Sequence, residues 1–218
     1  MQIRDVVNIT SFNETSIEPA SYRKRINSLF GSASLGWKHL LYLDATLRGD
    51  QSSTLPTSNN VYVDPSFSGS FVFSELLHAG NKMPYGKFRM SWAQVGSDTD
   101  PYQLGLVYTK SKYTYPGYTI GYINNSTIPN KDLKPTKTNS FEMGIETKFL
   151  NNRLGLDVTY YTQKSKNQIM GMATSWTSGY TYRLINAGEI DNSGVEITLN
   201  TRPIQTKDFS WDLNLNFS

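Results

Sequence analysis

Leu41-Tyr42-Leu43-Asp44-Ala45-Thr46-Leu47-Arg48 alternates between apolar and polar side chains. Successive side chains of a strand point to opposite faces, so Leu41, Leu43, Ala45 and Leu47 share one face, and Tyr42, Asp44, Thr46 and Arg48 the other. Two later stretches repeat the pattern. Phe141, Met143, Ile145 and Phe149 interleave with Glu142, Gly144, Glu146 and Lys148. Leu154, Leu156, Val158 and Tyr160 interleave with Gly155, Asp157, Thr159 and Tyr161. A helix would space its apolar residues three and four apart, so these runs read as strands. They last about ten residues, longer than the usual globular strand and matched to a tilted strand that crosses a bilayer.

Working outward, the same reading predicts eight strands, at roughly 27–37, 40–50, 64–73, 87–96, 139–150, 153–164, 194–202 and 208–218. The connections alternate in length. Trp37, Lys38 and His39 make a tight turn, as do Leu150, Asn151, Asn152 and Arg153, and 202–207 is short. Residues 74–86 form a medium connection, whereas 49–63, 96–138 and 165–193 are long, and 1–26 read as surface loop. A structureless loop of about forty residues is foreign to a compact soluble domain but usual on the outer face of a barrel. The expected fold is therefore all-β: part of an antiparallel transmembrane β-barrel, about eight strands of a larger one, with long extracellular loops and short periplasmic turns.

Composition agrees. Only 38% of the 218 residues are hydrophobic, yet 13% are aromatic, with 14 Tyr and 10 Phe. A barrel turns its apolar side to lipid and needs no large apolar core. The net charge of +3 is scattered, with no basic block for nucleic acid. The chain has no cysteine, which excludes disulfides and thiolate metal sites. No apolar run reaches the roughly 18 residues of a transmembrane helix. The opening MQIRDVVNIT lacks the parts of a signal peptide, and the closing FSWDLNLNFS stops within a strand pattern, so both ends read as cut points in a longer protein.

Register can be argued from energy. Phe88, Met90 and Trp92 share a face opposite Lys87, Arg89 and Ser91. Turning Lys87 and Arg89 to lipid would cost about 2–4 kcal/mol each near the midplane, and less near an interface. The same logic points Asp44, Arg48, Glu142, Glu146, Asp157, Glu196 and Asp212 into the lumen along with them. Trp37, Phe73, Phe88, Phe149 and Phe209 fall on apolar faces beside the shorter connections, as an aromatic girdle would. Trp92, Tyr160 and Phe217 sit nearer the long loops.

Several segments resemble the SusC/RagA-like TonB-linked outer-membrane transporters. They include Asn27-Ser28-Leu29-Phe30-Gly31, the run from Leu40 through Asp50, and Lys87-Phe88-Arg89-Met90-Ser91-Trp92 leading into a long loop. Asp132-Leu133-Lys134-Pro135-Thr136 is similar to the family's Asp-Leu-Lys-Trp-Glu strand opening, with Pro135-Thr136 where Trp-Glu is common. Phe149-Leu150-Asn151-Asn152-Arg153-Leu154 resembles its tight turn, and Lys207-Asp208-Phe209-Ser210-Trp211 its following strand start. The most distinctive match is Gly188-Glu189-Ile190-Asp191-Asn192-Ser193-Gly194-Val195-Glu196, which resembles a G-E-I-x-N-x-G-V-E run. Gly96-Ser97-Asp98 departs from the family's Gly-Asn pair. The matches run in order over nearly the whole chain.

The resemblance implies that residues 1–218 are part of a TonB-dependent receptor β-barrel domain, about a third of the wall and from its later half, in the bacterial outer membrane. It implies a plug, a TonB box and a barrel of about 22 strands in full-length members. It further implies a SusD-like surface lipoprotein as partner, the TonB–ExbB–ExbD complex as energy source through parts absent here, and an oligosaccharide or peptide as substrate. A TonB-dependent siderophore or vitamin receptor, a passive porin, and a soluble β-rich carbohydrate-binding or adhesin module are the alternatives.

The residues suggest no enzyme, cofactor or metal site. His39 and His78 are isolated and lack ligand spacing. Asp191-Asn192-Ser193-Gly194 opens like a calcium loop but lacks the alternating ligands and closing Glu, and reads better as a turn in which Gly194 permits an unusual backbone. The carboxylates of the polar faces alternate along strands rather than pairing for acid–base work. The Asn-x-Ser/Thr matches at Asn8, Asn13, Asn124 and Asn125 are too short to carry weight. Tyr102, Tyr108, Tyr113, Tyr115, Tyr118 and Tyr122 make one long loop the best candidate for a surface contact, because a tyrosine offers a flat apolar ring and a hydrogen-bonding tip.

Overall fold

The computed structural model describes residues 22–77, 83–106, 108–123 and 126–218. The expected surface loop before residue 22, His78 and the four Asn-x-Ser/Thr sites lie outside them. Eight long strands form one antiparallel sheet: β1 (Ile26–Trp37), β2 (Leu41–Ser52), β3 (Val61–Phe71), β4 (Tyr85–Ser97), β8 (Thr136–Phe149), β9 (Leu154–Lys166), β12 (Glu189–Gln205) and β13 (Ser210–Phe217). Each pairs with the next in that order, an up-and-down wall. All eight predicted strands are present. Their ends move by up to five residues, most at the start of β12.

The short connections close by local backbone chemistry. Lys38 and His39 take left-handed φ values of 50° and 56°, and the Leu40 N–H donates to the Trp37 carbonyl at 2.9 Å. Two positive φ values in a two-residue turn match the right-handed twist of the flanking strands. Leu150, Asn151 and Asn152 do the same at 53°, 57° and 66°, where Asn tolerates the left-handed region well. The connection from β3 to β4 holds one helical turn, α1 (Ser74–Leu77).

Two prolines shape the wall. Pro65 has no N–H to donate, and the β3–β4 ladder stops beside it at Ser66–Ala93. Above that point side chains bridge the strands. The Gly96 N–H donates to the Asp64 carboxylate at 2.7 Å, and Gln94 donates to the Val63 carbonyl at 3.0 Å. Pro203 sits where β12 shifts register against β13, between Thr201 and Ile204. A bulge is one of the few places where a sheet accepts proline.

The long loops are folded. β5 (Tyr108–Tyr115) and β6 (Tyr118–Ile123) make a hairpin, and β7 (Thr127–Ile128), β11 (Tyr182–Asn186) and β10 (Ile169–Ala173) make a small sheet. Beneath them lie the buried hydrophobic residues described: Leu55, Tyr62, Leu133 and Leu184, with Leu104 and Ile169 packed against them. The hydrophobic core therefore sits at the loop end of the wall, where 53–60, 98–135 and 167–188 meet. The wall itself has apolar side chains that stay exposed on one face.

The reading of 191–194 as a turn is corrected. Asp191 pairs with Lys164 and Gly194 with Tyr161 in the continuous β12–β9 ladder, and Gly194 has no positive φ. Glycine is needed there for a different reason. A Cβ on Gly194 would lie 2.8 Å from the Tyr161 hydroxyl oxygen and 2.9 Å from Cζ, so the ring occupies the space a side chain would take.

Candidate functional site

Register places all nine predicted charged residues on one face. Lys87 stands opposite Glu146, which stands opposite Asp157. Arg89, Gly144, Thr159 and Glu196 form the next rung. Ser91, Glu142, Tyr161 and Gly194 form the one beyond it. Asp44 and Arg48 share this face through the β2–β3–β4 ladders, and Asp212 through β13. Leu43, Phe67, Met90, Met143, Tyr160, Val195 and Leu215 occupy the opposite face.

Three carboxylates on the polar face, those of Glu146, Asp157 and Asp212, are tied to basic side chains on other strands. Lys87 Nζ lies 3.0 Å from Glu146 Oε2. Arg89 grips Asp157 with both terminal nitrogens at 2.7 Å and donates to Thr159 Oγ1 at 2.6 Å. To do so it reaches from β4 over β8 to β9. It crosses at Gly144, where a Cβ would meet the guanidinium at 3.0 Å. A side chain there would obstruct the bridge. Asp44 accepts from Ser34 at 2.5 Å and from Ser68 at 3.4 Å. Arg48 holds Asp50 at 2.9 Å, and Arg202 holds Asp212 at 2.6 Å. Glu142 and Glu196 form no ion pair among the described residues. A shallow cleft lined by Ser68, Ser70, Lys87, Arg89, Ser91 and Glu142 lies over this network. Such a surface presents fixed charges and hydroxyls to polar solutes.

A second cluster at the loop end was missed in sequence, because its members lie far apart along the chain. Lys24 Nζ lies 2.6 Å from Asp98 Oδ1, and the buried Ser52 hydroxyl donates to Asp98 Oδ2 at 2.5 Å. Burial pushes the Asp98 carboxyl up, but the hydrogen bonds from Lys24 and Ser52 outweigh it and hold it below the usual aspartate range. Ser53 N–H donates to the Arg25 carbonyl and the Arg23 N–H to the Tyr102 hydroxyl, so 23–25 is strapped to the loops. The one available signal was the Gly96-Ser97-Asp98 departure from the family pattern.

Of the predicted tyrosines, Tyr102, Tyr108, Tyr118 and Tyr122 are exposed. Tyr102 tilts against Tyr22 with ring centroids 6.5 Å apart. Tyr108 and Tyr122 stand on the two strands of the β5–β6 hairpin. Tyr113 and Tyr115 lie in β5, and their side chains fall outside the described residues. His39 is exposed in its turn.

A family model described as "TonB dependent receptor-like, beta-barrel" matches residues 3–218. The chain belongs to this family. The TonB-dependent receptor SusC of Bacteroides thetaiotaomicron is 27% identical over 204 residues, covering 90% of this chain and 20% of SusC. A TonB-dependent receptor of Formosa agariphila is 26% identical over 197 residues, covering 89% of this chain and 20% of its own length. Among solved structures, the RagAB peptide importer in its closed-closed state matches with TM-score 0.80 and 25% identity, over 88% of this chain and 21% of that one. The siderophore receptor PirA from Pseudomonas aeruginosa matches with TM-score 0.60 and 20% identity, over 89% of this chain and 34% of that one, a likeness of fold alone. The chain thus spans about a fifth of the length of the curated relatives it matches. This TonB-dependent receptor segment is outer-membrane barrel, similar to SusC- and RagA-type receptors, and its family consists of transporters, not enzymes.

Proposed function

We propose that this chain is part of the wall of a TonB-driven importer of glycans or peptides. The observation that carries the reading is the SusC- and RagA-type likeness over nearly the whole chain, at a higher TM-score than the siderophore receptors reach. The apolar face then meets lipid, and the face carrying Asp44, Arg48, Lys87, Arg89, Glu142, Glu146, Asp157, Glu196 and Asp212 lines the lumen. The open edges of β1 and β13 pair with further wall strands, since closure removes unpaired edges. The folded loops stand outside the cell and the turns at 38–39 and 151–152 face the periplasm. A SusD-like lipoprotein caps the loop side, with Tyr102, Tyr108, Tyr118 and Tyr122 among its contacts or those of the substrate. TonB, ExbB and ExbD act through parts of the receptor outside this chain.

The test is uptake by the source bacterium with the receptor gene deleted, using labelled oligosaccharide and peptide pools with and without TonB. Loss of one pool's TonB-dependent uptake is the expected result. Loss of iron-chelate or vitamin uptake instead would make this a siderophore or vitamin receptor. Uptake that persists without TonB would make it a porin.

A further inference from the structure

The strands of the wall are not joined equally along their length. β3 pairs with β2 from Phe71 up to Val61, and β4 pairs with β8 from Tyr85 up to Ser97. Between β3 and β4 the ladder runs only from Phe71–Phe88 to Ser66–Ala93. Beyond Pro65, toward the loops, Val61–Asp64 and Gln94–Ser97 flank a seam with no backbone pairing across it. The sheet is therefore two panels, β1–β2–β3 and β4–β8–β9–β12–β13, joined along the turn-side half of one seam.

Side chains occupy the open half. The Tyr62 ring takes the space of a Gly96 side chain, whose Cβ would lie 3.0 Å from Cε2. Asp64 accepts from the Gly96 N–H, and Gln94 donates to the Val63 carbonyl. A cleft of about 470 Å³, lined by Arg48, Asp50, Asp64, Pro65, Gln94 and Gly96 among others, lies along the seam. A backbone ladder repeats its bonds residue by residue and fixes two strands side by side. Two bonds through rotatable side chains impose no such constraint.

The cap spans the seam. The first panel carries 23–25 and 53–60, and the second carries 98–135 and 167–188. Lys24 and Ser52 reach across to Asp98, and the Arg23 N–H to the Tyr102 hydroxyl. The Asn59 side chain donates to the Leu133 carbonyl at 3.4 Å, and Leu55 and Tyr62 share a core with Leu133 and Leu184. Contacts of this kind, borne by loops and few in number, open at lower free energy than a paired sheet.

We propose that the β3–β4 seam is a hinge clasped shut by the loop cap. Release of the clasp at Asp98 and Leu133 spreads the two panels and widens the mouth at the loop end. The paired half of the seam, where Phe67 stacks on Trp92 with centroids 6.0 Å apart, is the pivot. Only the link to uptake rests on the importer reading.

The test uses the whole receptor in lipid nanodiscs, with nitroxide spin labels on paired cysteines. Q51C/K137C spans the seam at the loop end, and L43C/M143C spans its paired half. D98A/L133A should lengthen and broaden the first distance and leave the second unchanged. D98A alone should shift the first distance less, in the same direction. An unchanged first distance in D98A/L133A, or equal broadening of both pairs, would overturn the hinge.

A second arm reads uptake in cells. A disulfide from V63C/Q94C locks the open half, and should cut uptake to the level of a strain without TonB until a reductant restores it. A disulfide from T138C/S165C, at the loop end but within the second panel, should leave uptake unchanged. Normal uptake through a locked seam, or equal loss from both disulfides, would overturn the hinge's part in opening the mouth. Failure of the importer reading is distinct: the unaltered receptor would import no labelled glycan or peptide, while the spin-label distances would still decide the hinge.

Discussion

Leu35 on the wall and Leu133 in the loops are the same residue in opposite surroundings: the first is 70% exposed, the second 0%. The wall leaves its apolar side chains exposed on one face and gathers its polar contacts on the other, and on the proposed reading lipid serves as its missing core. The loop cap faces water and must bury apolar groups within itself. It does so with Leu55, Tyr62, Leu133 and Leu184. Asn186 binds the cap together by accepting from the Lys134 N–H at 2.7 Å and donating to the Lys134 and Asn167 carbonyls at 2.7 and 3.0 Å. The wall is thus held by backbone ladders and cross-strand ion pairs, and the cap by a small core. Each region should fail under a different kind of substitution.

The largest effect is expected in the cap. Leu133→Ala should cost about 2–5 kcal/mol, because it removes a fully buried side chain with few ways to collapse the cavity. Hydrogen exchange should show 130–135 and 182–186 losing protection while the wall strands keep theirs. Leu35→Ala, on the exposed face, should leave both patterns unchanged. Equal effects of the two substitutions would break the distinction between regions.

The next largest is on the lipid side of the wall. Leu43→Arg should destabilise by about 2–4 kcal/mol if Leu43 sits near the midplane, measured by refolding into vesicles, whereas Asp44→Asn one residue away should change stability by less than about 1 kcal/mol. The reverse order would turn the wall inside out.

A smaller effect tests the polar face. Gly144→Val should cost about 1–3 kcal/mol by pushing the Arg89 guanidinium off its path to Asp157. A following Arg89→Leu should then add little, since the two changes remove one interaction. Full additivity would show that the bridge does not depend on the glycine.

The smallest concerns the junction between regions. The Asp98 carboxyl is held below its ordinary value of 3.8, so its contribution to stability is present above that value and lost as pH falls through the depressed one. Lys24 is partly exposed, which limits the effect to about 0.2–1 kcal/mol. Asp98→Asn should flatten that acid limb of the cap's stability, followed by protease cleavage near residue 24, and leave neutral stability slightly reduced. An unchanged acid limb would place the pH dependence elsewhere.

Much of the wall was legible in sequence. Alternation from Leu41 to Arg48 assigned each side chain to a face, because a strand has period two and a misplaced Arg or Lys is expensive in lipid. The tight turns at Lys38–His39 and Asn151–Asn152 follow from the shortness of these connections, and the structure adds their left-handed backbone. The cap was not legible. Residues 96–138 and 165–193 carry no periodicity long enough to announce β5, β6, β7, β10 and β11, which are two to eight residues long and form only by meeting one another. Asp132-Leu133-Lys134 was recognised by resemblance as a strand opening, and only the fold shows Leu133 as the centre of the cap's core.

By itself, then, the sequence determined which faces are apolar and where the short turns fall, since both follow from neighbours within a few residues. Tertiary structure decided the rest: that Arg89 reaches Asp157 across Gly144, that Tyr161 fills the space of Gly194, that Lys24 meets Asp98, and that Lys137 faces Lys166. These contacts join residues from about 30 to over 70 positions apart, and their geometry depends on register between strands, which no single strand's pattern contains.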